Sequence, residues 1–398
     1  MRASRRDFFG RVSGWLGAVA LGGVGAHAAA DTTKMQGAPV RAYGVRAAYE
    51  KAARWLVPSR YPTSTASFTP LAALHGTVTP SALHFERHHA GVPDIDPVAH
   101  RLLVHGLVDR PLAFTVEELG RFPVTQRQYF IECSGNTNTE WAGPRGADVQ
   151  QTHGLMSCSE WCGVRLAEVL AECGVQPAAA WIVFEGADGA AMTRSLPLAK
   201  CLDDVLLAYA QNGEALRPEQ GYPLRLIVPG WEGSTHVKWL RRAKVTAEPY
   251  YTREETAKYT DLMPDGRARS FSFVMEAKSV ITTPSPGSTL VRGEHEIRGL
   301  AWSGRGRITR VEVSADGGAS WQTAQLHGPV MPLCHTRFTL PWRWDGGPAV
   351  LASRATDETG YVQPTREALT AVRGVRSFYH YNAIQQWRVT ASGTLENV

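Results

Sequence analysis

The sequence has few cysteines and lacks any motif for covalent haem attachment. Its 398 residues include six cysteines and no CxxCH segment. A chain of this length does not need disulfides for stability, so the six thiols do not mark a disulfide-rich scaffold. A c-type haem on this chain is excluded because its attachment requires that motif. Cys158 and Cys162 lack a second pair or clustered histidines, which argues against a structural zinc site.

The sequence also has little excess charge of either sign. Lysine and arginine number 42 against 37 aspartate and glutamate, giving a formal net charge of +5, and no concentrated basic run occurs. This distribution lacks the electrostatic footprint of nucleic-acid-binding proteins, so nucleic acid is not expected as a partner. After the first thirty residues, no hydrophobic run is long enough for a membrane-spanning helix.

The first thirty residues carry the pattern of an export signal. Arg5 and Arg6 lie in the segment SRRDFFG, a moderately apolar run covers 12–25, and small residues stand at Ala26 and Ala28. This pattern predicts a twin-arginine (Tat) signal peptide, residues 1–30, and a periplasmic location. The alternative, an N-terminal membrane anchor, requires a longer and less glycine-rich run. Because the Tat route carries folded proteins, the signal favours a cofactor that is inserted in the cytoplasm before export.

Length and composition predict two folded domains after this signal, since 398 residues with 43% hydrophobic content exceed one core. Residues 31–83 are polar and weakly periodic, and we expect an N-terminal arm there. Residues 84–277 alternate irregularly between strand and helix patterns, which predicts an α+β domain. Residues 278–398 alternate as strands do between turn signals, which predicts an immunoglobulin-like β-sandwich.

Several elements are predicted individually. Thr115 with Glu118 predicts a capping box at the start of a helix, and the apolar residues of 166–173 repeat at helical spacing. Strands are expected at 102–104, 129–131, 181–184, 224–228, 308–313 and 350–355.

Cys133 stands where an apolar strand pattern ends. The segment YFIECSGN (129–136) passes from apolar residues to Cys133 and then to small and turn-forming residues. A thiolate at such a position is a soft, anionic ligand suited to a high-valent metal, and Gly135 allows another group to approach closely. Taken alone, the pattern is more typical of a buried, unreactive cysteine.

Five segments in a fixed order change that interpretation. They are FERHH (85–89), CSGN (133–136), FEGAD (184–188), GYPLR (221–225) and VKW (237–239). In this order and spacing the chain resembles the sulfite oxidase family of molybdenum enzymes over residues 84–390. The resemblance implies a molybdopterin-binding catalytic domain (84–277) followed by an immunoglobulin-like dimerisation domain with a C-terminal tail (278–398).

The resemblance assigns roles to individual residues. It implies that Cys133 ligates the molybdenum, and that Tyr259, Arg87 and Arg373 are catalytic, with Tyr259 near the metal and the arginines in an anion pocket. Arginine and lysine suit the phosphate of the cofactor, because they supply a planar fork and a point charge respectively. The residues implied to bind the cofactor are Phe85, Arg87, His88, His89, Asp188, Gln220, Arg225, His236 and Lys238.

One departure from the family pattern concerns the substrate. Sulfite oxidases carry a further arginine a few residues after the metal cysteine, and this chain has Asn138 there. Fewer fixed charges weaken a site for a small free dianion. The segments KYTDL (258–262) and YHYNAI (379–384) are similar to the SoxC subfamily of sulfane dehydrogenase molybdenum subunits. That subfamily acts on sulfane sulfur attached to a carrier protein.

The implied reaction is oxygen-atom transfer to sulfur, with two electrons left on the metal. Because this chain has no haem motif, the electrons are expected to pass to a separate c-type cytochrome, as in a SoxD-like partner. The implied assembly is a homodimer within a heterotetramer. Three alternatives stay open: a sulfite dehydrogenase, a monodomain sulfoxide reductase, and a metal-free binding or assembly protein on the same fold. The predicted sandwich argues against the second and the Tat signal against the third.

Overall fold

The computed structural model describes residues 35–144 and 147–398, and the predicted Tat signal lies outside these residues. The chain divides after Glu50 into two compact units. Residues 35–50 contain no regular element, and all helices and strands described below belong to residues 51–398. In the described residues, no helix has both the length and the apolar character needed to cross a membrane.

The described residues up to 277 combine short helices with many strands. The α-helices are α1 (Val116–Leu119), α2 (Val149–His153), α3 (Leu166–Cys173), α4 (Leu198–Asp203) and α5 (Arg253–Thr256). The strands are β1 (Trp55–Leu56), β2 (Ala66–Phe68), β3 (Glu86–Arg87), β4 (Leu102–Gly106), β5 (Leu112–Phe114), β6 (Val124–Glu132), β7 (Met156–Arg165), β8 (Trp181–Gly186), β9 (Thr193–Pro197), β10 (Leu206–Gln211), β11 (Glu214–Ala215), β12 (Arg225–Ile227), β13 (Leu240–Thr246), β14 (Asp261–Leu262) and β15 (Ala268–Arg269).

These strands form three larger sheets and one hairpin. One sheet has the order β11-β10-β7-β6, with β12 also paired to β10, and a second has the order β5-β4-β13-β8-β9. A three-stranded sheet joins β1, β2 and β3, while β14 pairs with β15. Only β13 and β4 run parallel among the paired strands of the second sheet. Helix α3 covers the core because Leu166, Val169, Leu170 and Cys173 are fully buried on one face.

The later residues form two antiparallel sheets. Their elements are β16 (Lys278–Thr283), β17 (Gly293–Trp302), β18 (Ile308–Ser314), β19 (Gln322–Thr323), β20 (Gln325–His327), β21 (Thr336–Trp344), β22 (Ala349–Asp357), α6 (Arg366–Arg373), β23 (Gln386–Val389) and β24 (Leu395–Asn397). The strand orders are β16-β17-β21-β20 and β19-β18-β22-β23-β24. Val280, Ile297 and Phe338 of the first sheet share one apolar core with Val311 and Leu351 of the second. This arrangement is a β-sandwich.

The α+β fold class and the individually predicted elements are confirmed. Thr115 and Glu118 form the capping box of α1, and α3 spans the helix predicted at 166–173. The six predicted strands lie in β4, β6, β8, β12, β18 and β22. Local patterning sufficed here because each segment is either a short continuous apolar run, as in β8 and β12, or has an apolar face of the right period.

The predicted N-terminal arm differs from what the structure contains at residues 51–83. This stretch belongs to the larger unit and supplies β1 and β2, and β2 pairs with β3. Leu71 and Leu74 are buried in the same core as the sandwich, and the hydroxyls of Thr69 and Ser157 are 2.6 Å apart. Burying a leucine contributes about 1.5–3 kcal/mol, which favours docking of this stretch over an extended course.

Candidate active site

Cys133 directly follows β6 and lies in a tightly bonded turn. Its backbone N–H donates to the carbonyl of Leu155 at 2.9 Å, and its carbonyl accepts the N–H of Asn136 at 2.8 Å. Gly233 packs against this turn so closely that a Cβ there would lie 2.8 Å from the Glu132 carbonyl oxygen. The thiol is 9% exposed and is not in a disulfide. The backbone therefore fixes one free thiol in place.

Two cavities meet at this thiol. We call the more enclosed of the two the inner cavity and the second, which is more open to solvent, the outer cavity. Four residues line both of them: Arg87, His89, Cys133 and Tyr259. A group bound in the inner cavity can thus present its reactive atom at Cys133 to a substrate that enters through the outer one.

The inner cavity brings together all but one of the predicted site residues. Those that line it are Phe85, Arg87, His88, His89, Cys133, Asp188, Gln220, Arg225, His236, Lys238 and Tyr259. Sequence reasoning missed Met192, Gly233, Ser234, Val237 and Trp239, which also line it. The last four lie close to the predicted residues His236 and Lys238 along the chain, whereas nothing in the local sequence distinguishes Met192.

Arg225 is buried and Lys238 is partly buried, and neither forms an ion pair with a carboxylate among the described residues. One terminal nitrogen of Arg225 donates to the backbone and side-chain oxygens of Gln220, both at 3.0 Å, while its Nε has no partner. The Lys238 ammonium donates to the Glu219 carbonyl at 2.9 Å and lies 2.9 Å from His88 Nδ1. Burial lowers the pKa of Arg225 to about 9, and burial with the nearby Arg225 lowers the pKa of Lys238. An anion bound here would stabilise both charges.

The histidines of the inner cavity are neutral at physiological pH. Burial, reinforced by Arg87, lowers the pKa of His89 to about 3, and burial reinforced by Arg225 does the same for His236. The ring of His236 is fixed because its Nδ1 accepts the N–H of Val228 at 3.2 Å. Neutral imidazoles can both donate and accept hydrogen bonds, which suits a polar heterocycle.

Tyr259 stands between the two cavities with its hydroxyl oxygen 2.8 Å from His89 Nε2. Burial raises the pKa of this tyrosine, and the negative form of Cys133 adds to the effect. The hydroxyl therefore stays protonated and can donate a hydrogen bond towards the Cys133 side of the cavity. The guanidinium of Arg194 lies 5.4 Å from the centre of the tyrosine ring, and this cation–π contact helps to fix the position of the ring.

Arg373 is the one predicted site residue that the structure does not bring into either cavity. It ends α6 and is 4% exposed. Its guanidinium lies 3.7 Å from the Asp261 carboxylate and 3.5 Å from that of Glu276. Two carboxylates thus bind the arginine outside both cavities, and its predicted catalytic role in an anion pocket stays a prediction.

Arg373 is nevertheless connected to the outer cavity through Asp261. That carboxylate accepts the backbone N–H groups of Phe378 and Tyr379 at 3.0 and 3.1 Å. Both residues line the outer cavity, and the Tyr379 ring centre is 5.2 Å from that of Tyr259. The arginine therefore supports the cavity wall.

The outer cavity has a mixed lining. Among the described residues, two cations, Arg87 and Lys258, and no carboxylate line it, and Asn138 forms part of the wall. Apolar side chains supply much of the remaining wall: Val57, Ala66, Phe68, Leu155 and Phe378. Phe378 is 51% exposed, so the apolar lining continues to the surface.

The inner cavity fits a molybdenum–molybdopterin cofactor. The unpaired Arg225 and Lys238 suit its phosphate, and the Asp188 carboxylate can accept N–H groups of a pterin ring. Within the described residues, no group of three or more His, Cys, Asp or Glu side chains is arranged to hold a metal ion. A metal at Cys133 therefore needs further ligands from the cofactor, which the dithiolene sulfurs of a molybdopterin supply.

Comparisons with known proteins agree with this geometry. Residues 89–253 match the oxidoreductase molybdopterin binding domain, and residues 269–387 match the Mo-co oxidoreductase dimerisation domain. The chain is 35% identical to mitochondrial sulfite oxidase of Rattus norvegicus over 329 residues, covering 75% of this chain and 60% of the relative. It is 33% identical to sulfite oxidase of Gallus gallus, covering 75% and 71%. The chain thus spans about three-fifths of the length of the rat enzyme.

A solved structure gives a fuller match. In the crystal structure of the sulfane dehydrogenase SoxCD from Paracoccus pantotrophus, a chain of 50% identity superposes with a TM-score of 0.88. The match covers 92% of this chain and 96% of that one. The two domain matches, the sulfite oxidase relatives and this likeness together establish that the chain belongs to the sulfite oxidase family of molybdopterin oxidoreductases.

Proposed function

We propose that this protein is the molybdenum subunit of a periplasmic sulfane dehydrogenase, which oxidises sulfane sulfur attached to a carrier protein and passes the electrons to a c-type cytochrome. The observation that carries the proposal is the outer cavity beside Cys133, which is open to solvent, combines apolar with polar side chains and is lined by Asn138. The 50% identity to a chain of a sulfane dehydrogenase supports the same substrate class.

The charge of the outer cavity favours a tethered substrate. A free dianion depends on charge-assisted hydrogen bonds inside the pocket, each contributing about 1.5–3 kcal/mol. A sulfane on a carrier gains binding from protein contacts outside the pocket, so the pocket itself needs fewer cations. With Asn138 in place of an arginine, Arg87 and Lys258 are the cations that line the outer cavity among the residues that the structure describes.

The residues that line both cavities have different roles in the proposed reaction. The bound molybdenum cofactor supplies oxygen-atom transfer chemistry and accepts two electrons. Arg87 faces both cavities and orients an anionic end of the substrate near Cys133. Tyr259 holds a proton on its hydroxyl, with His89 as the neighbouring partner, and Phe68 and Phe378 limit the access of water.

A sulfite dehydrogenase is the second candidate function. Arg87 and Lys258 in the outer cavity favour it, because together they can bind a small oxyanion. The identity of 35% to rat sulfite oxidase points in the same direction.

The sequence has no CxxCH motif for a c-type haem of its own. As electron acceptor we propose a SoxD-like c-type cytochrome subunit, which the likeness to a chain of SoxCD supports. The dimerisation domain at 269–387 supports a homodimer of this chain within a heterotetramer.

Exchange of Arg5 and Arg6 for lysine tests the proposed location. We expect the double variant to remain in the cytoplasm with its molybdenum bound, because the export machinery reads the arginine pair as an address and not as charge. Immunoblots of cell fractions, with molybdenum measured in each, give the readout. An unchanged periplasmic yield would contradict export by the Tat route.

The variant Asn138→Arg tests the substrate. We expect the KM for free sulfite to fall about 3- to 13-fold, if half of one charge-assisted hydrogen bond survives exposure to solvent. Oxidation of the carrier-bound sulfane should slow because the longer side chain narrows the outer cavity. Steady-state kinetics with both substrates give the readout, and Asn138→Gln controls for side-chain length without charge. If wild type oxidises sulfite efficiently and Asn138→Arg changes neither substrate, the sulfite dehydrogenase alternative replaces the proposal.

A further inference from the structure

The Glu132 carboxylate lies beside the cysteine turn and is completely enclosed. Its Oε1 accepts hydrogen bonds from the Lys278 ammonium and from the Asn136 amide, both at 2.9 Å, and its Oε2 accepts the indole N–H of Trp302 at 2.7 Å. Glu132, Lys278 and Trp302 are each at most 1% exposed. Lys278, Asn136 and Trp302 thus all donate to the carboxylate of Glu132, which directly precedes Cys133 in the chain.

Lys278 connects both ends of the turn that carries the thiol. Besides Glu132 before Cys133, its ammonium donates to the hydroxyl of Thr137 after it, at 2.9 Å. Thr137 adopts a left-handed backbone conformation with φ of +66°, which few non-glycine residues adopt unless their surroundings hold them there. The Lys278 side chain therefore connects residues 132 and 137, the two ends of the turn.

Both donors come from the second domain. Lys278 is the first residue of β16 and Trp302 the last of β17, and the two stand directly opposite each other in the antiparallel ladder. This end of the sandwich thus places the ammonium of Lys278 and the indole N–H of Trp302 against the turn. Asn136 adds a tie to the catalytic domain, because its Oδ1 accepts the N–H of Leu155 at 3.1 Å.

We propose that Lys278 and Trp302 are positioning residues for the metal thiolate, so that the dimerisation domain sets the orientation of Cys133 towards the molybdenum. The inference rests on Cys133 as the metal ligand, which the proposed function also requires. Groups behind a metal ligand orient it, and their loss typically lowers metal affinity or activity about 10- to 100-fold.

The matched pair Trp302→Phe and Trp387→Phe tests this inference. Both tryptophans are fully buried in the sandwich core and donate one indole N–H, but Trp387 donates to the Ile281 carbonyl at 2.9 Å and does not contact the turn. The holoenzymes are reduced stepwise with dithionite, and the electron paramagnetic resonance signal of Mo(V) is recorded with molybdenum content measured for each sample. We expect Trp302→Phe to change the Mo(V) signal and to lower kcat per bound molybdenum about tenfold. Trp387→Phe should leave both as in wild type.

Lys278 supplies a second comparison. Lys278→Met should change the Mo(V) signal more than Trp302→Phe does, and Lys278→Arg should restore it in part, because arginine keeps the charge and the donors. Should Lys278→Met fail to fold, Trp302→Phe decides alone. A wild-type signal and kcat in Trp302→Phe, or equal changes in both tryptophan variants, would overturn the inference. Because dithionite replaces the sulfur substrate, the Mo(V) signal is independent of which sulfur compound the enzyme oxidises, and it tests the inference even if the proposed substrate is wrong.

Discussion

Replacing Cys133 by serine is expected to abolish turnover while leaving the protein folded. The thiolate is the single protein ligand assigned to the metal, and a serine oxygen is a harder donor that alters the electronics of the metal. We expect kcat/KM to fall by about three orders of magnitude or more, which corresponds to about 4 kcal/mol of transition-state stabilisation. Steady-state kinetics on samples with matched molybdenum content measure the effect.

The fold should tolerate this change because the cysteine turn is held by other bonds. Glu132 and Asn136 keep their partners, and the new hydroxyl costs about 1–3 kcal/mol if it finds none. Cys201→Ser is the matched control, since Cys201 is also completely buried in the catalytic domain but lies in its apolar core. Activity should survive in the control. Full activity in Cys133→Ser would contradict the ligand assignment.

Removing the charge of Lys238 is expected to have opposite effects on the loaded and the cofactor-free protein. Lys238→Met takes away one charge-assisted contact to the cofactor phosphate, worth about 1.5–3 kcal/mol, so cofactor affinity should fall about 10- to 150-fold. Molybdenum per chain after dialysis measures this loss. In the cofactor-free protein the same change removes a partly buried cation that forms no ion pair with a carboxylate among the described residues, so the free energy of unfolding should rise.

The pH dependence of stability separates the two effects. Burial and the nearby Arg225 lower the pKa of Lys238, so the unfolded chain binds more protons than the folded one between the lowered pKa and the ordinary value of about 10.4. The free energy of unfolding of cofactor-free wild type should therefore rise with pH across this window. Lys238→Met should lose that part of the slope. The control is Lys244→Met, which removes a half-buried lysine of β13 outside both cavities. Equal slopes in wild type and Lys238→Met would contradict the argument.

Most of the inner cavity could be predicted because the order of five short segments resembles the sulfite oxidase family, and the resemblance assigned their residues to the cofactor. Cys133 also stands at the end of a clear apolar strand pattern, whereas Arg225 and Lys238 were predicted from the resemblance alone. The individual strands and α3 were predictable for a local reason, since burial of one face imposes a period on the sequence.

Arg373 could not be placed in this way. Its position depends on Asp261 and Glu276, which lie about a hundred residues away along the chain and outside any shared motif. A lone arginine in a sequence gives no sign of which carboxylate it will pair with. Only the tertiary fold shows that this guanidinium supports the wall of the outer cavity.

The burial of Lys278 could not be predicted from the sequence either. The sequence marks residue 278 as the start of the second domain, and a charged residue at a domain boundary is expected to face solvent. In the structure it pairs with Glu132 in the catalytic domain, completely buried. Patterns of single strands cannot predict such a contact, because it depends on how the sandwich packs against β6 and β7.

The most direct test of the proposed function is a side-by-side rate measurement. Purified protein, exported and molybdenum-loaded, would be assayed with carrier-bound sulfane and with free sulfite at equal concentrations, with a c-type cytochrome as electron acceptor. We predict that kcat/KM is higher for the carrier-bound sulfane and that turnover stops when the cytochrome is omitted. Oxidation of sulfite alone, with no turnover of the carrier-bound sulfane, would contradict the proposed function.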